Sequence, residues 1–184
     1  QVALSSAQGQ TYTAVKIGPD GKLYASTVDG LIQRFNRNSD GTLSSATTIT
    51  TIQTNNGGPR MVTGFDFDPS STSLNVILWV NHGQYAFEGA TDWTGKLSKL
   101  SGTNLGTYQD MLIGLPRSVR DHLNNQPVFG ADGKLYFSQA SSNAMGAPDN
   151  AWAQRPEHLL TAAILQVDPA KLTSTPLNVR TEGV

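Results

Sequence analysis

Three histidines are the side chains best suited to proton transfer, because imidazole titrates near neutral pH. They are His82, His122 and His158. His122 directly follows Asp121, a carboxylate that could orient or tune the ring, although adjacent residues of a strand face opposite sides of a sheet. Taken alone, a histidine in a turn before a strand is more often a surface residue or a local hydrogen-bond donor than a catalyst.

The other two histidines favour structural interpretations. His82 follows the apolar run 74–80 and begins a polar insertion, so we expect an exposed loop residue there. A strand end that leads into a functional loop is the alternative. His158 falls in the one plausible helical turn, 155–160, and we expect it to cap or pack that turn.

A pair of carboxylates raises the question of a metal site. Asp66 and Asp68 alternate with Phe65 and Phe67, which predicts both acids on one face of a strand. Two aligned carboxylates can share a hard cation, but a solvated strand face is the commoner arrangement. The sequence therefore assigns no metal ligands.

Aromatic residues gather in two polar insertions, 81–94 and 139–161. They are Tyr85, Phe87, Trp93 and Trp152. Such side chains can stack on the apolar faces of sugar rings, and anchoring of the loops is the competing interpretation. Trp79, in contrast, lies in an apolar run and is expected to fill space between sheets.

The elements that must position these residues follow from a repeated phrase. Ile-Gly-Pro-Asp-Gly-Lys-Leu-Tyr at 17–24 returns as Phe-Gly-Ala-Asp-Gly-Lys-Leu-Tyr at 129–136. Asp-Gly between strand-like runs predicts a hairpin, because glycine accepts the positive φ of a tight turn. A looser third copy covers 63–69 and leads into the run 74–80.

Each copy begins a unit that ends in another strand-like pattern. These patterns cover 31–35, 95–100 and 163–168. Repeated antiparallel units of this length predict an all-β fold, a β-propeller. The expected blades cover approximately 12–50, 60–105 and 112–172. The two insertions then fall on loops at one face, where function usually lies.

About three blades do not close a ring, because propellers have about four to eight. Residues 1–184 are therefore expected to form a partial propeller. The remainder of the ring would be missing from this sequence or supplied by another chain. An incomplete ring would otherwise expose two sheet edges.

Composition excludes several classes of partner. The formal net charge is −1 and charged residues are scattered singly, which argues against a nucleic-acid partner. No apolar run approaches the ~20 residues of a membrane helix. There is no cysteine, and Ser, Thr, Asn and Gly are frequent, which fits a periplasmic or extracellular protein.

The segment 112–137 resembles a known family. Gly-Leu-Pro at 114–116 leads to Asp-His at 121–122 and then to the second hairpin phrase, while Gly-Phe-Asp-Phe-Asp-Pro occupies 64–69. This order is similar to the N-terminal half of the glucose/sorbosone dehydrogenases, soluble sugar dehydrogenases that depend on pyrroloquinoline quinone (PQQ). The resemblance covers most of 14–168 and implies a six-bladed ring.

The resemblance implies a function and a site. His122 would be the general base that removes a proton from a sugar hydroxyl while hydride passes to the quinone. Asp121 and His122 would be the cofactor-binding residues of this chain. PQQ and calcium would be the cofactors, with their main ligands outside this sequence, and an aldose- or sorbosone-type sugar would be the substrate.

A second hypothesis stays open because the sequence departs from the family in two places. Residues 139–161 do not match the family's short glycine-rich loop. Pro59, Arg60 and Met61 occupy the region where the soluble glucose enzymes have a cofactor-contacting glutamine. The alternative is a non-catalytic extracellular propeller module that binds carbohydrate or protein.

Overall fold

The computed structural model describes residues 4–180, which form antiparallel β-structure with few helical turns. The strands are β1 (Tyr12–Ile17), β2 (Leu23–Thr27), β3 (Ile32–Arg37), β4 (Leu43–Ile49), β5 (Arg60–Phe67), β6 (Leu78–Gln84), β7 (Gly95–Ser101), β8 (Thr107–Leu115), β9 (Val128–Phe129), β10 (Leu135–Gln139), β11 (Ala163–Val167) and β12 (Leu177–Asn178). One α-helix is present in this part of the chain, α1 (Thr51–Asn56). Short 3-10 turns cover Ser5–Ala7, Thr103–Leu105, Asn150–Trp152 and Pro169–Lys171. The predicted all-β class is confirmed.

Within the described residues the strands form three sheets that follow one another along the chain, except that β12 returns to the second sheet. The first sheet has the order β1-β2-β3-β4, and the third has the order β11-β10-β9. The second sheet runs β12-β8-β7-β6-β5, in which β12 pairs with β8 in parallel and the other pairs are antiparallel. None of these sheets closes into a ring.

The repeated phrase forms the same hairpin twice, between β1 and β2 and between β9 and β10. In the first copy the Asp20 carboxylate accepts a hydrogen bond from the backbone N–H of Lys22 at 3.2 Å and from the Tyr24 hydroxyl at 2.9 Å. In the second copy Asp132 accepts from the Tyr136 hydroxyl at 2.8 Å. Both copies therefore form a turn in which the aspartate carboxylate accepts a hydrogen bond from the tyrosine of the next strand.

Two apolar clusters join the sheets. The first fills the space between the first and second sheets and includes Tyr24, Ile32, Phe65 and Leu78. The second lies between the second and third sheets, where Trp79 meets Phe129 with ring centroids 6.0 Å apart. The expectation that Trp79 fills space between sheets is confirmed.

Asp66 links all three sheets. Its carboxylate, on β5, pairs with Lys16 of β1 at 2.5 Å and accepts a hydrogen bond from the backbone N–H of Phe129 of β9 at 2.8 Å. Asp68 lies beyond the strand and accepts instead from the Trp79 indole N–H at 2.8 Å. The two carboxylates therefore serve separate structural contacts, and they do not form the shared face that alternation predicts.

Candidate active site

His122 lies in the segment 116–127 that connects β8 to β9, and local hydrogen bonds shape this segment. The N–H of Ser118 donates to the carbonyl oxygen of His122 at 2.9 Å, and the N–H of His122 donates to the Ser118 hydroxyl at 3.0 Å. The Gln139 side chain, at the end of β10, donates to the Pro116 carbonyl at 3.0 Å. His122 therefore lies on a hydrogen-bonded turn, and the Gln139 hydrogen bond connects this turn to the third sheet.

A buried arginine side chain anchors this turn through hydrogen bonds. Arg117 is 2% exposed, and its Nη1 donates to carbonyl oxygens within its own turn, those of Arg120 and His122. Its Nη2 donates to the carbonyl oxygen of Ala86 at 2.5 Å. Burial lowers the pKa of Arg117 to about 10, and the Asp121 carboxylate acts in the opposite sense. The guanidinium joins the histidine turn to the neighbouring loop after β6.

The surroundings of the His122 ring fix which nitrogen carries the proton. Nδ1 lies 3.1 Å from the carbonyl oxygen of Ser141 and 3.3 Å from the Ser141 hydroxyl. That hydroxyl donates its one proton to the carbonyl of Asn143, so towards the ring it can only accept. Both neighbours of Nδ1 are acceptors, so Nδ1 carries the proton and Nε2 keeps its lone pair.

One face of the ring is covered by an indole. Trp152 lies with its ring centroid 4.3 Å from that of His122 at an interplanar angle of 37°. The Arg120 guanidinium lies over the same indole at 5.7 Å. The side chain of His122 is partly exposed, and Asp121 beside it is exposed. The result is an oriented imidazole in a small group of aromatic and cationic side chains.

The two predicted insertions come together beside this histidine. Strand β6 continues to Gln84, so the first loop covers 85–94, and the Ala90 N–H donates to the Val119 carbonyl in the histidine turn at 3.1 Å. The second loop contacts the first through an Arg155–Asp92 ion pair of 2.7 Å. The two loops therefore contact each other, and the first loop contacts the histidine segment.

His82 corrects a prediction, because it is fully buried in the middle of the second sheet. The apolar run 74–80 predicts a strand over its whole length, but 74–77 form a bend followed by irregular chain, and the strand begins at Leu78. Arg60 Nε donates to His82 Nδ1 at 3.1 Å, and His82 Nε2 donates to the Ser98 hydroxyl at 2.9 Å. This imidazole is a structural group inside a polar network.

The hydrogen-bond network around His82 ends at the carboxylate of Asp110, which forms an ion pair with a lysine. The Ser98 hydroxyl and the Tyr108 hydroxyl both donate to Asp110 Oδ1, at 2.9 and 2.6 Å. Lys96 pairs with Asp110 Oδ2 at 2.9 Å. Burial opposes ionisation, but hydrogen bonds from Tyr108 and Lys96 hold the pKa of Asp110 below its usual value. Burial raises the pKa of Tyr108 strongly.

The predicted helical turn at 155–160 is absent, and the chain there forms non-helical turns. The Thr161 hydroxyl accepts from the His158 N–H at 3.0 Å and donates to the Glu157 carboxylate at 2.5 Å, which closes the segment without helical bonds. His158 instead packs on Trp93 of the first loop, with centroids 4.7 Å apart. Its role is to join the two loops.

Sequence reasoning missed the two residues that organise the histidine. Arg117 is part of the Gly-Leu-Pro-Arg stretch, where its burial has no local signal, and Ser141 lies 19 residues from His122 in an insertion. Residues 4–180 contain no group of three or more His, Cys, Asp or Glu side chains placed to hold a metal ion. No helix within this range has the length and apolar character needed to cross a membrane.

Solved structures of sugar dehydrogenases share this fold. An oxidoreductase described as a glucose dehydrogenase, from Thermus thermophilus, is 20% identical with a TM-score of 0.60 and covers 88% of this chain. The PQQ-bound form of aldose sugar dehydrogenase from Streptomyces coelicolor is 17% identical with a TM-score of 0.61 and covers 87%. This chain spans 44% and 45% of their lengths. No protein-family model and no curated protein matches the sequence.

The likeness confirms, at the level of the fold, the resemblance that the motifs indicated. The chain has the fold of part of a sugar dehydrogenase of the glucose and aldose type, and the match covers less than half of each of those structures. The fold by itself does not assign an activity, because one scaffold carries many functions.

Proposed function

We propose that this chain forms part of a PQQ-dependent dehydrogenase of aldose- or sorbosone-type sugars, with His122 as the general base. The observation that carries the proposal is the tautomer of the His122 imidazole. Ser141 holds the proton on Nδ1, so Nε2 has a lone pair and makes no hydrogen bond within residues 4–180. A base for a hydroxyl proton needs this tautomer and this accessibility.

The side chains around His122 suit a planar anionic cofactor. PQQ is a fused-ring quinone with carboxylates, and the Arg120 guanidinium and the Trp152 indole offer a cation and an aromatic surface beside the imidazole. His122 and Asp121 are the cofactor-binding residues that the proposal assigns to this chain. A carboxylate is a poor direct partner for an anionic cofactor. Asp121 would therefore act indirectly, because its negative charge favours the charged form of Arg117 and raises the pKa of that guanidinium. When bound, PQQ supplies the quinone that accepts the hydride.

The proton follows a defined course. Nε2 of His122 takes the proton from the sugar hydroxyl as the C–H bond is broken. The imidazolium that forms then has Nδ1–H directed at the Ser141 carbonyl, which stabilises the added charge. Trp152 covers one ring face and so limits the access of water. Calcium, if present, takes its ligands from outside this chain.

The proposal extends to the assembly. We take the chain to supply about three blades of a six-bladed ring, approximately 12–50, 60–105 and 112–172, with β8 (Thr107–Leu115) assigned to the second blade because it pairs with β7. Val15 and Ile17 on the first sheet and Ile164 on the third are more than half exposed, as expected for faces that further blades cover. The remaining propeller half, in the same or another polypeptide, would complete the ring in a periplasmic or extracellular protein.

The test is reconstitution of the complete protein with PQQ and calcium, followed by dye-linked oxidation of glucose and other aldoses. We expect His122→Gln to lower kcat by about 10²- to 10⁴-fold, the usual contribution of a general base, and to weaken PQQ binding much less than it lowers kcat. His158→Gln is the matched control, because that ring contacts Trp93 of the first loop, and its kcat should stay near wild type.

Two results would overturn the proposal. If His122→Gln keeps wild-type activity, the assigned base is wrong. If the complete protein binds no PQQ in an absorbance titration, the enzyme assignment fails and the non-catalytic binding module becomes the better account.

A further inference from the structure

A cavity of about 400 Å³ lies at the end of the second sheet, and the histidine turn 116–127 does not line it. It is open to solvent and is lined by the start of β5, residues 92–94 of the first loop, the start of β7, β8 and the chain at 178–180. The charged and aromatic side chains that line it are Arg60, Asp92, Trp93, Lys96, Asp110 and Arg180, and the Arg180 guanidinium lies 5.9 Å from the Trp93 ring centroid. A volume of this size lies within the range of small-molecule sites, about 300–1,000 Å³.

The charges that line this Arg60 cavity do not cancel. Asp110 pairs with Lys96 at 2.9 Å, and Asp92 pairs with Arg155 at 2.7 Å. Both carboxylates are therefore already neutralised by cations of the chain. Arg60 has no carboxylate within 4.0 Å in residues 4–180, and its Nε and Nη2 donate to neutral acceptors.

Two hydrogen-bond donors at the cavity are left without acceptors in the described chain. Arg60 Nη1 makes no hydrogen bond, while Nη2 is held by the Thr94 carbonyl at 2.7 Å. The indole N–H of Trp93 is buried and has no hydrogen-bond partner, and the whole residue is 8% exposed. Guanidinium and indole nitrogens only donate, so their missing partner must be an acceptor.

We propose that the Arg60 cavity binds a small oxyanion, a carboxylate or a phosphate group of a soluble ligand, with Arg60 as its ion-pair partner and Trp93 as a further donor. Excess positive charge, unused donors and neutralised acids all favour an anion over a cation. A neutral ligand would leave the Arg60 charge uncompensated. The site is independent of His122, so it stands whether or not the proposed oxidation is correct.

The test uses the indole N–H signals in ¹H–¹⁵N spectra of the protein, with the Trp93 signal assigned by Trp93→Phe. We expect titration with inorganic phosphate or acetate to move the Trp93 signal in a saturable way, while Trp79 and Trp152 stay in place. Tighter binding of phosphate would indicate a phosphorylated ligand, and tighter binding of acetate would indicate a carboxylate ligand.

Paired variants separate the charge from the fold. Arg60→Met and Arg60→Lys both lose the bond to His82, so both have the same structural defect, but only Lys keeps the charge. We expect Arg60→Met to weaken anion binding by at least about tenfold, since a charge-assisted pair is lost, and Arg60→Lys to weaken it less. Lys99→Met, which removes a cation stacked on Trp79, should bind as wild type.

The absence of a saturable Trp93 shift with either anion would overturn the proposal, whichever variants fold. Equal affinity in Arg60→Met and Lys99→Met would also overturn it. If circular dichroism shows that Arg60→Met is unfolded, the anion affinities of Arg60→Lys and Lys99→Met are compared instead. Equal affinities in these two variants would contradict the proposed site.

Discussion

Acid should destabilise this protein through the buried His82. Its ring is fully buried, and Nδ1 accepts a hydrogen bond from the positive Arg60 guanidinium at 3.1 Å. Burial lowers the pKa of His82 well below its usual value, the charges of Arg60 and Lys96 lower it further, and Asp110 opposes them. A second proton on the ring would have to sit between Nδ1 and the guanidinium, which displaces Arg60.

The direction and size of the effect follow from proton linkage. The pKa of His82 is depressed in the folded state, so the unfolded chain binds more protons, and stability falls as the pH drops below the unfolded value of about 6.5. The free energy of unfolding should decrease between neutral pH and pH ~5.5 by up to about 1.4 kcal/mol, the limit for one group that takes up its proton only in the unfolded chain. The pKa of Asp110 is also lowered, but its loss begins near the unfolded value of about 3.9.

The assay is urea unfolding of wild type and His82→Gln from pH ~7.5 to ~5.5. The variant should be less stable at neutral pH, and the difference from wild type should shrink by up to about 1.4 kcal/mol at pH ~5.5. Ser98→Ala removes a partner of the ring but leaves the buried imidazole, so it should keep the wild-type dependence on pH. A constant difference between wild type and His82→Gln across this range would refute the reasoning.

Further predictions concern the contacts that join the sheets and loops. Asp66→Asn breaks an ion pair at the junction of the sheets and should lower the free energy of unfolding by about 1–3 kcal/mol in urea; an unchanged midpoint would contradict this role. Asp20→Ala should cost about 1–2 kcal/mol, because it leaves the buried Tyr24 hydroxyl without this acceptor, and Asp132→Ala should cost less, because its tyrosine is more exposed. Equal losses in the two hairpins would show that burial does not set the cost. Arg117→Met should cost about 2–4 kcal/mol and expose 84–122 to protease, since several buried carbonyls lose their donor; wild-type resistance would exclude an anchoring role.

Local patterns in the sequence were enough for the strands and the repeated hairpins. Asp-Gly between apolar runs requires a tight turn wherever it occurs, and both copies form one. The strand predicted at 95–100 lies at Gly95–Ser101, and the strand predicted at 163–168 lies at Ala163–Val167. Helix α1 was not predicted, because its six polar and β-branched residues carry no apolar period of 3.6.

The site was predictable only in part. The motif context selected His122, and the expected architecture predicted that both insertions lie on loops at one face. The burial of His82 was not predicted, because the end of β6 is set by its pairing with β5 and β7, and that pairing cannot be deduced from the run 74–84 alone.

The sequence by itself therefore determined the elements, the repeat and the histidine to examine, because turn chemistry and strand alternation are local. Tertiary structure alone decided that Ser141 sets the His122 tautomer, that Arg117 supports the turn, and that Arg60 faces a cavity without a balancing carboxylate. Those properties depend on burial and on distances between residues that are far apart in the chain, and no local pattern encodes them.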